Sequence, residues 1–297
     1  MLPSFIYPDV DLKGYTSWLV GGKADYLCSP SSYHELRLCL IWAKSQGLPV
    51  TVLGGGSNVL ISDDGIDGLV ILTRKLNQLQ SFIADGNLVL RAQSGVKKAE
   101  LLRVFLKHSL APAVFLAGLP GEVGGGIVMN AGISEPCVPR EFGELVRSFL
   151  VMNFDGEERL YSHDQVTWGY RYSSGWQPGI ILEAELAWPY TPDPLVIGRV
   201  KDANQQRVKK QPLELPSCGS VFVNPPGLKA AALIDSCGLK GYTIGQAQVS
   251  TKHANFIVNL GGARAEDIWN LIEYVKATVR ENCQVDLETE VVRLGRW

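Results

Sequence analysis

Pro49-Val50-Thr51-Val52-Leu53-Gly54-Gly55-Gly56-Ser57-Asn58-Val59-Leu60-Ile61 is an apolar β-type run, three consecutive glycines with a Ser-Asn pair, and a second apolar run. That order places a tight loop between two short strands. A dinucleotide-binding turn needs G-x-G-x-x-G running from a strand into a helix, and a P-loop needs G-x-x-x-x-G-K-[ST]; neither pattern stands here. What remains is loop backbone that can approach a phosphate closely because no Cβ intervenes. Gly118-Leu119-Pro120-Gly121-Glu122-Val123-Gly124-Gly125-Gly126 reads as a second loop of the same kind, followed by Ile127-Val128-Met129 near a core and by Asn130-Ala131-Gly132. Glycine clusters also make simple turns, and either stretch alone satisfies that reading. Two such loops, with amides converging from two directions, suit a bulky, charged cofactor.

The chain has 297 residues and a net charge of −2, a length that fits two domains of roughly 150 residues each. With Lys and Arg nearly balancing Asp and Glu, no global basic field favours nucleic acid, so an anionic ligand is met locally. No apolar run approaches the ~18 residues of a membrane helix. Met1-Leu2-Pro3-Ser4-Phe5 lacks the basic start and apolar stretch of a signal peptide. We expect a soluble cytoplasmic protein without nucleic-acid partners or membrane insertion. Cys28, Cys39, Cys137, Cys218, Cys237 and Cys283 show no C-x-x-C spacing, and the four histidines are equally dispersed. Neither a disulfide framework nor a metal site is expected. Cys137, just beyond the second glycine stretch, is the residue from which a covalent cofactor link would be made.

Ser32 caps a predicted helix through about residue 45, with Gly47 ending it. Strands are predicted at 50–53, 59–62, 69–73 and 88–92, and a helix at 97–109, where Leu101, Leu102, Phe105 and Leu106 recur at helical spacing. Strand pairs without an intervening helix point to an α+β arrangement. Residues 145–188 read as β again. Tyr190-Thr191-Pro192-Asp193-Pro194 is the candidate linker, dividing a first domain at 16–189, made of two α+β subdomains, from a smaller α+β domain at 195–297. In the latter, helices are predicted at 197–210, 230–237 and 265–280, with a strand at 255–258.

Three polar clusters remain: Tyr170-Arg171-Tyr172-Ser173-Ser174, Cys218-Gly219-Ser220-Val221-Phe222-Val223-Asn224-Pro225, and Leu287-Glu288-Thr289-Glu290-Val291. Singly, each also reads as surface or turn. Together with the two glycine stretches, with Met129-Asn130-Ala131-Gly132, Lys210-Gln211-Pro212 and Leu239-Lys240-Gly241, and with Ala247-Gln248-Val249-Ser250-Thr251-Lys252-His253-Ala254-Asn255-Phe256, they resemble, in order and over nearly the whole chain, the UDP-N-acetylenolpyruvoylglucosamine reductase family of peptidoglycan synthesis. The compact length is similar to its shorter, type II branch.

The resemblance implies an FAD-binding domain of the vanillyl-alcohol-oxidase type followed by a smaller α+β substrate domain. It also implies non-covalent FAD that is reduced by NADPH and reoxidised by an enolpyruvyl sugar nucleotide. The residues matching the cofactor pattern are Gly54, Gly55, Gly56, Ser57, Asn58, Gly118, Pro120, Gly121, Gly124, Gly125, Asn130, Ala131, Gly132, Tyr170 and Arg171. Hydride delivered to the outer carbon of the enolpyruvyl group leaves negative charge on its carboxylate. Arg171 matches the guanidinium that binds that group, and Glu290, protonated or paired with a cation, matches its partner. Ser220 matches the donor that protonates the inner carbon. Lys210 and Asn224 match contacts to the nucleotide end. The chain departs from the family pattern at Val223, in place of Lys, and at Val292, in place of Arg, with Arg293 one position later. It also departs at Glu122, in place of a small hydroxyl residue, and at Ile133-Ser134. The alternatives are another flavoprotein on the same FAD scaffold, whose second domain would not match, and a flavin carrier that has lost catalysis.

Overall fold

The computed structural model describes residues 2–133 and 137–297; Ser134, in the Ile133-Ser134 departure, lies outside them. Helices and strands are mixed without strict alternation, the α+β class that the paired strands imply. By contact the chain divides into two compact units. The first holds residues 1–7, 27–55 and 68–206; the second holds 8–26, 56–67 and 207–297.

The first unit centres on a five-stranded antiparallel sheet in the order Leu79–Ala84, Asn87–Gln93, Gly179–Pro189, Val146–Asn153, Glu158–Ser162. Gly179–Pro189 is central because it pairs on both edges, Leu186 facing Leu90 on one side and Val146 on the other. Leu88, Leu90, Phe149, Val151 and Leu186 turn into a core shared with Leu101 and Phe105 of the helix Lys98–Lys107 and with Phe115, Leu116 and Ile127. Val196 and Val200 of the helix Val196–Lys210 join the same core. Val50–Leu53 pairs in parallel with Ile66–Leu72, Val50 opposite Leu69. The helix Tyr33–Ser45 starts where expected, with Ser32 Oγ accepting from Glu35 N–H at 3.1 Å.

The second unit is built on the helix Ala265–Cys283, whose apolar stripe Ile268, Leu271, Ile272, Val275 and Val279 has the spacing of one helix face. It packs with Trp18, Val20, Leu60, Val221, Ala247, Val249 and Ile257. A three-stranded antiparallel sheet, Thr243–Ile244, Ala247–Val249 and Ile257–Asn259, lies in this unit. Val59–Ile61 pairs in parallel with Val292–Leu294. Trp18 donates its indole N–H to Ile257 O at 2.7 Å, and Asn259 Nδ2 donates to Trp18 O at 2.9 Å.

Two expectations are corrected. The second glycine stretch is loop only as far as Glu122; Val123–Val128 is a short helix. Three glycines disfavour helix by roughly 1 kcal/mol each, and tertiary packing overrides that preference: Gly124 lies against Ser94, and Gly126 against Lys98 and Phe142, so closely that an added Cβ would push on these neighbours. The strand read at 255–258 begins two residues later, at Ile257, because Asn255 is engaged by its side chain instead.

Candidate active site

In the first unit the two glycine stretches touch each other. A Cβ added to Gly55 would come within 3.2 Å of Gly121 Cα, so the backbones approach as only glycine allows. Arg74, just beyond the strand Ile66–Leu72, donates through Nε to Gly54 O and through Nη2 to Gly55 O, both at 3.2 Å. Its guanidinium thereby holds the first loop by its carbonyls. Lys98 is buried and donates from Nζ to Pro120 O at 3.0 Å, holding the second. Burial lowers the Lys98 ammonium to about 8, with the charge of Glu122 opposing that shift and Arg171 adding to it. Glu122 is also buried. Its Oε1 lies 3.9 Å from Arg74 Nε, its Oε2 has no hydrogen-bond partner, and burial raises the carboxyl to about 7 against Arg74, Lys97 and Lys98.

Asn130, fully buried with φ 37°, ties the end of this region to the hairpin Thr167–Gly169/Tyr172–Ser174. Its Nδ2 donates to Glu141 Oε2 at 2.7 Å and to Gly169 O at 2.9 Å, while its Oδ1 accepts from Gly143 N–H at 2.9 Å. Tyr170 and Arg171 form the two-residue tip of that hairpin. Arg171 has φ 67°, a left-handed conformation costly for a residue that carries a Cβ. Its guanidinium lies 4.5 Å from the centre of the Tyr170 ring. A Cβ on Gly132 would fall 2.8 Å from Arg171 Nη1, so Gly132 leaves the room in which that side chain runs.

These features fit a cofactor bearing a diphosphate. Bare backbone at Gly55 faces bare backbone at Gly121, Gly54 faces Glu122 Oε2, two cations lie beside them, and two buried polar atoms, Glu122 Oε2 and Ser94 Oγ, lack hydrogen-bond partners. Gly125, exposed on the short helix, has nothing within 4 Å of an added Cβ. Cys137 donates its thiol to Pro139 O at 3.0 Å.

Gly56, Ser57 and Asn58 belong to the second unit. A Cβ on Gly56, which has φ 65°, would lie 1.9 Å from Tyr15 O. Its lack of a side chain is therefore required by the Tyr15-Thr16 backbone, whatever it contributes to a ligand. Asn58 donates from Nδ2 to Glu290 O at 2.9 Å.

Ser220 and Glu290 are brought together on paired segments of this unit. Glu290 N–H donates to Val221 O at 2.8 Å, Val223 N–H to Glu288 O at 2.9 Å, and Phe222 bridges Thr289. Asn255 clamps the Ser220 side of the pair: its Oδ1 accepts from Phe222 N–H and its Nδ2 donates to Phe222 O, both at 2.9 Å, while its backbone O accepts from Val221 N–H. The thiol of Cys218 is pushed up by burial first and by the negative charge of Glu290 second. Asn224 Oδ1 accepts from Ala230 N–H at 3.0 Å, where the helix Ala230–Ser236 begins. Lys210 is exposed at the end of the helix Val196–Lys210.

Sequence reasoning missed Arg74, Lys98 and Asn255 as site-building residues. Arg74 and Lys98 are single basic residues beside apolar runs, a pattern without a distinctive signal. Asn255 had one: a short amide residue beside the apolar run Phe256-Ile257-Val258 needs polar partners if buried.

Comparison with known proteins bears on this arrangement. Residues 24–160 match the family model described as "FAD binding domain", and residues 211–294 match "UDP-N-acetylenolpyruvoylglucosamine reductase, C-terminal domain". The protein of Moorella thermoacetica named UDP-N-acetylenolpyruvoylglucosamine reductase is 40% identical over 94% of this chain and 90% of its own length. The protein of that name from Limosilactobacillus fermentum is 39% identical over 98% and 96%. Among solved structures, the crystal structure of UDP-N-acetylenolpyruvylglucosamine reductase from Thermus caldophilus is similar with a TM-score of 0.81 and 32% identity, covering 98% of this chain and all of that one.

Proposed function

The chain belongs to the UDP-N-acetylenolpyruvoylglucosamine reductase family, and from that premise we propose how its own residues divide the work. It is an FAD-dependent oxidoreductase that reduces the enolpyruvyl group of UDP-N-acetylenolpyruvoylglucosamine in the synthesis of a peptidoglycan precursor. We take NADPH as the hydride donor, UDP-N-acetylmuramate as the product and the cytoplasm as the compartment, where nucleotide-activated precursors and NADPH are met together. No helix of the described residues is long and apolar enough to cross a membrane.

Bound FAD supplies the two-electron relay by which hydride from NADPH reaches the outer carbon of the enolpyruvyl double bond. The loops at Gly54, Gly55, Gly118, Pro120 and Gly121 hold the diphosphate by backbone groups, with Arg74 and Lys98 keeping them in place. Gly124, Gly125, Ala131, Gly132 and Tyr170 line the rest of the cofactor's contact in the first unit, with the buried Asn130 fixing them from behind.

Arg171 binds the substrate carboxylate, whose charge grows as the double bond is reduced, with paired donors that keep their charge. Its strained hairpin tip supports this reading, because such a conformation persists in a long charged residue only where surrounding contacts fix it. Glu290 fixes and polarises the same group. Ser220 donates its hydroxyl proton to the inner carbon and recovers it from solvent. Lys210 and Asn224 receive the nucleotide end, Asn224 being held in place where its Oδ1 accepts from Ala230 N–H.

The observation that supports the assignment is the pairing of the segments carrying Ser220 and Glu290, through Glu290 N–H to Val221 O, Val223 N–H to Glu288 O and the Phe222–Thr289 bridge. Rapid-mixing kinetics test it. NADPH should bleach the bound flavin, and the enolpyruvyl sugar nucleotide should then restore its colour. Reoxidation by oxygen alone, with no response to the sugar nucleotide, would remove the substrate assignment.

A further inference from the structure

Glu122 stands at the closest approach of the two glycine stretches, and its side chain is only 4% exposed. Its Oε2 would lie 3.3 Å from a Cβ on Gly54, and its carboxyl carbon 3.8 Å from one on Gly55. The carboxyl therefore lies against the bare face of the first loop. Arg74 stands beside it without a hydrogen-bond contact, its Nε 3.9 Å from Glu122 Oε1, while the guanidinium donates to Gly54 O and Gly55 O. A buried carboxyl oxygen without a hydrogen-bond partner is costly, and more so when charged, so it calls for a partner supplied from outside the chain.

Resting on the reading of these loops as the FAD diphosphate site, we propose that Glu122 binds the cofactor as a neutral carboxylic acid and donates its proton to a phosphate oxygen. The small hydroxyl that the family pattern has at this position is also a donor. A carboxylic acid reproduces that chemistry only while protonated; an ionised one presents negative charge to a diphosphate.

The local electrostatics permit the neutral form near neutrality. Burial raises the carboxyl to about 7, the surrounding cations notwithstanding. The charged groups facing it are Arg74 on the first-loop side and Lys97 and Lys98 at the start of the helix Lys98–Lys107. Thr73 contributes a neutral hydroxyl near Gly54. Of these, Lys98 is also shifted, to about 8, by its own burial. FAD itself carries no phosphate proton that titrates in this range. Cofactor binding then takes up one proton per site once the free protein has ionised Glu122. Affinity falls by roughly tenfold per pH unit above about pH 7.

The test is calorimetric titration of the apoprotein with FAD in two buffers of different ionisation enthalpy, which counts protons taken up. At pH 7.5 the wild-type protein should take up at least half a proton more than Glu122→Gln, whose amide donates without titrating. Dissociation constants of the Gln variant should match wild type at pH 6 and be severalfold tighter at pH 8; Glu122→Thr should behave as Gln does. The charge of Glu122 raises Lys98, so in the Gln and Thr variants Lys98 is less protonated at pH 7.5 and has more, not less, of a proton to take up beside a diphosphate; its titration cannot produce an excess in the wild type. Equal proton uptake in wild type and Gln variant would overturn the proposal, as would a Gln variant that binds FAD more weakly at both pH values. Gly125→Leu separates the proposal from the reading beneath it. A Cβ there has no protein atom within 4 Å, so an unchanged FAD affinity sinks the loop assignment itself, whereas weakened affinity with equal proton uptake sinks only the role of Glu122.

Discussion

Replacing Asn255 by Ala tests how the proton donor is held. Asn255 is 4% exposed and Phe222 is 2% exposed, so water cannot take over either bond when the amide is removed. The substitution orphans Phe222 N–H and Phe222 O, each satisfied in the native protein at 2.9 Å. A buried backbone group without a partner costs about 1–3 kcal/mol, so the pair costs about 2–6 kcal/mol. For a protein of this size that lowers the unfolding temperature by roughly 5–15 °C. The lesion is local to the segment that carries Ser220, so in protein still folded at the assay temperature the flavin should be reduced by NADPH at near the wild-type rate and reoxidised by the sugar nucleotide at least tenfold more slowly. Asn255→Asp sharpens the test. Ionised, it sets a carboxylate oxygen against Phe222 O; protonated, it offers a donor again. Its folded carboxyl is therefore raised above its unfolded value, and the variant's stability deficit should shrink as pH falls. Differential scanning calorimetry and stopped-flow absorbance check both halves. An Ala variant that melts within about 2 °C of wild type and reoxidises normally would show that the clamp neither stabilises the segment nor positions it.

Ser220→Ala should leave FAD content and reduction by NADPH unchanged while slowing the second half-reaction by about 10²–10⁴-fold; a wild-type rate would make Ser220 a turn residue. Arg171→Lys and Glu290→Gln should each slow reoxidation by on the order of 10²-fold and spare the first half-reaction, and equal slowing of both halves would count against the carboxylate role. Gly56→Ala should destabilise the protein even without FAD, because the new methyl meets Tyr15 O at φ 65°; thermal unfolding of the apoprotein checks this, and a loss confined to FAD affinity would contradict it. Glu122 has a raised folded carboxyl, so its contribution to apoprotein stability is lost as pH rises from about 4.5 through 7. Apo Glu122→Gln should melt with wild type at pH 5 and above it at pH 8, and superimposable melting curves at both would show that the carboxyl is not buried in the ionised state.

The parts of the fold legible in the sequence are those where burial writes a period into the residues. The helix Ala265–Cys283 shows its stripe, and Val50–Leu53 and Val59–Ile61 bracket the first glycine loop as their apolar runs imply. The strands Ile6–Asp11 and Leu79–Ala84 were not legible. Both end a sheet, and most of their residues are exposed on either face, so no alternation marks them. The glycines of Val123–Val128 point away from helix, and only the packing partners Ser94, Lys98 and Phe142, distant in sequence, decide otherwise. The candidate site divides in the same way. Its glycines and its Ser-Glu pair are visible as motifs. Arg74, Lys98 and Asn255 act through three-dimensional neighbours that no local pattern announces.

The second unit is assembled from three stretches of chain separated by long intervals, and this bears on the order in which the protein can be made. Trp18 sits in that unit's core, and its indole N–H waits for Ile257 O, 239 residues further on. At a synthesis rate of about 5–20 residues per second, that partner emerges roughly 10–50 seconds after the tryptophan does. The first unit ends at Gln206, so all of it is available once that residue has left the ribosome and it can form during translation. Until the C-terminal stretch is made, Trp18, Val20 and Leu60 lack their native core partners Val221, Ala247, Val249 and Ile257. Slow decoding between residues 68 and 206 would lengthen that interval, which makes this stretch of the message the place where synonymous changes should alter the yield of soluble protein.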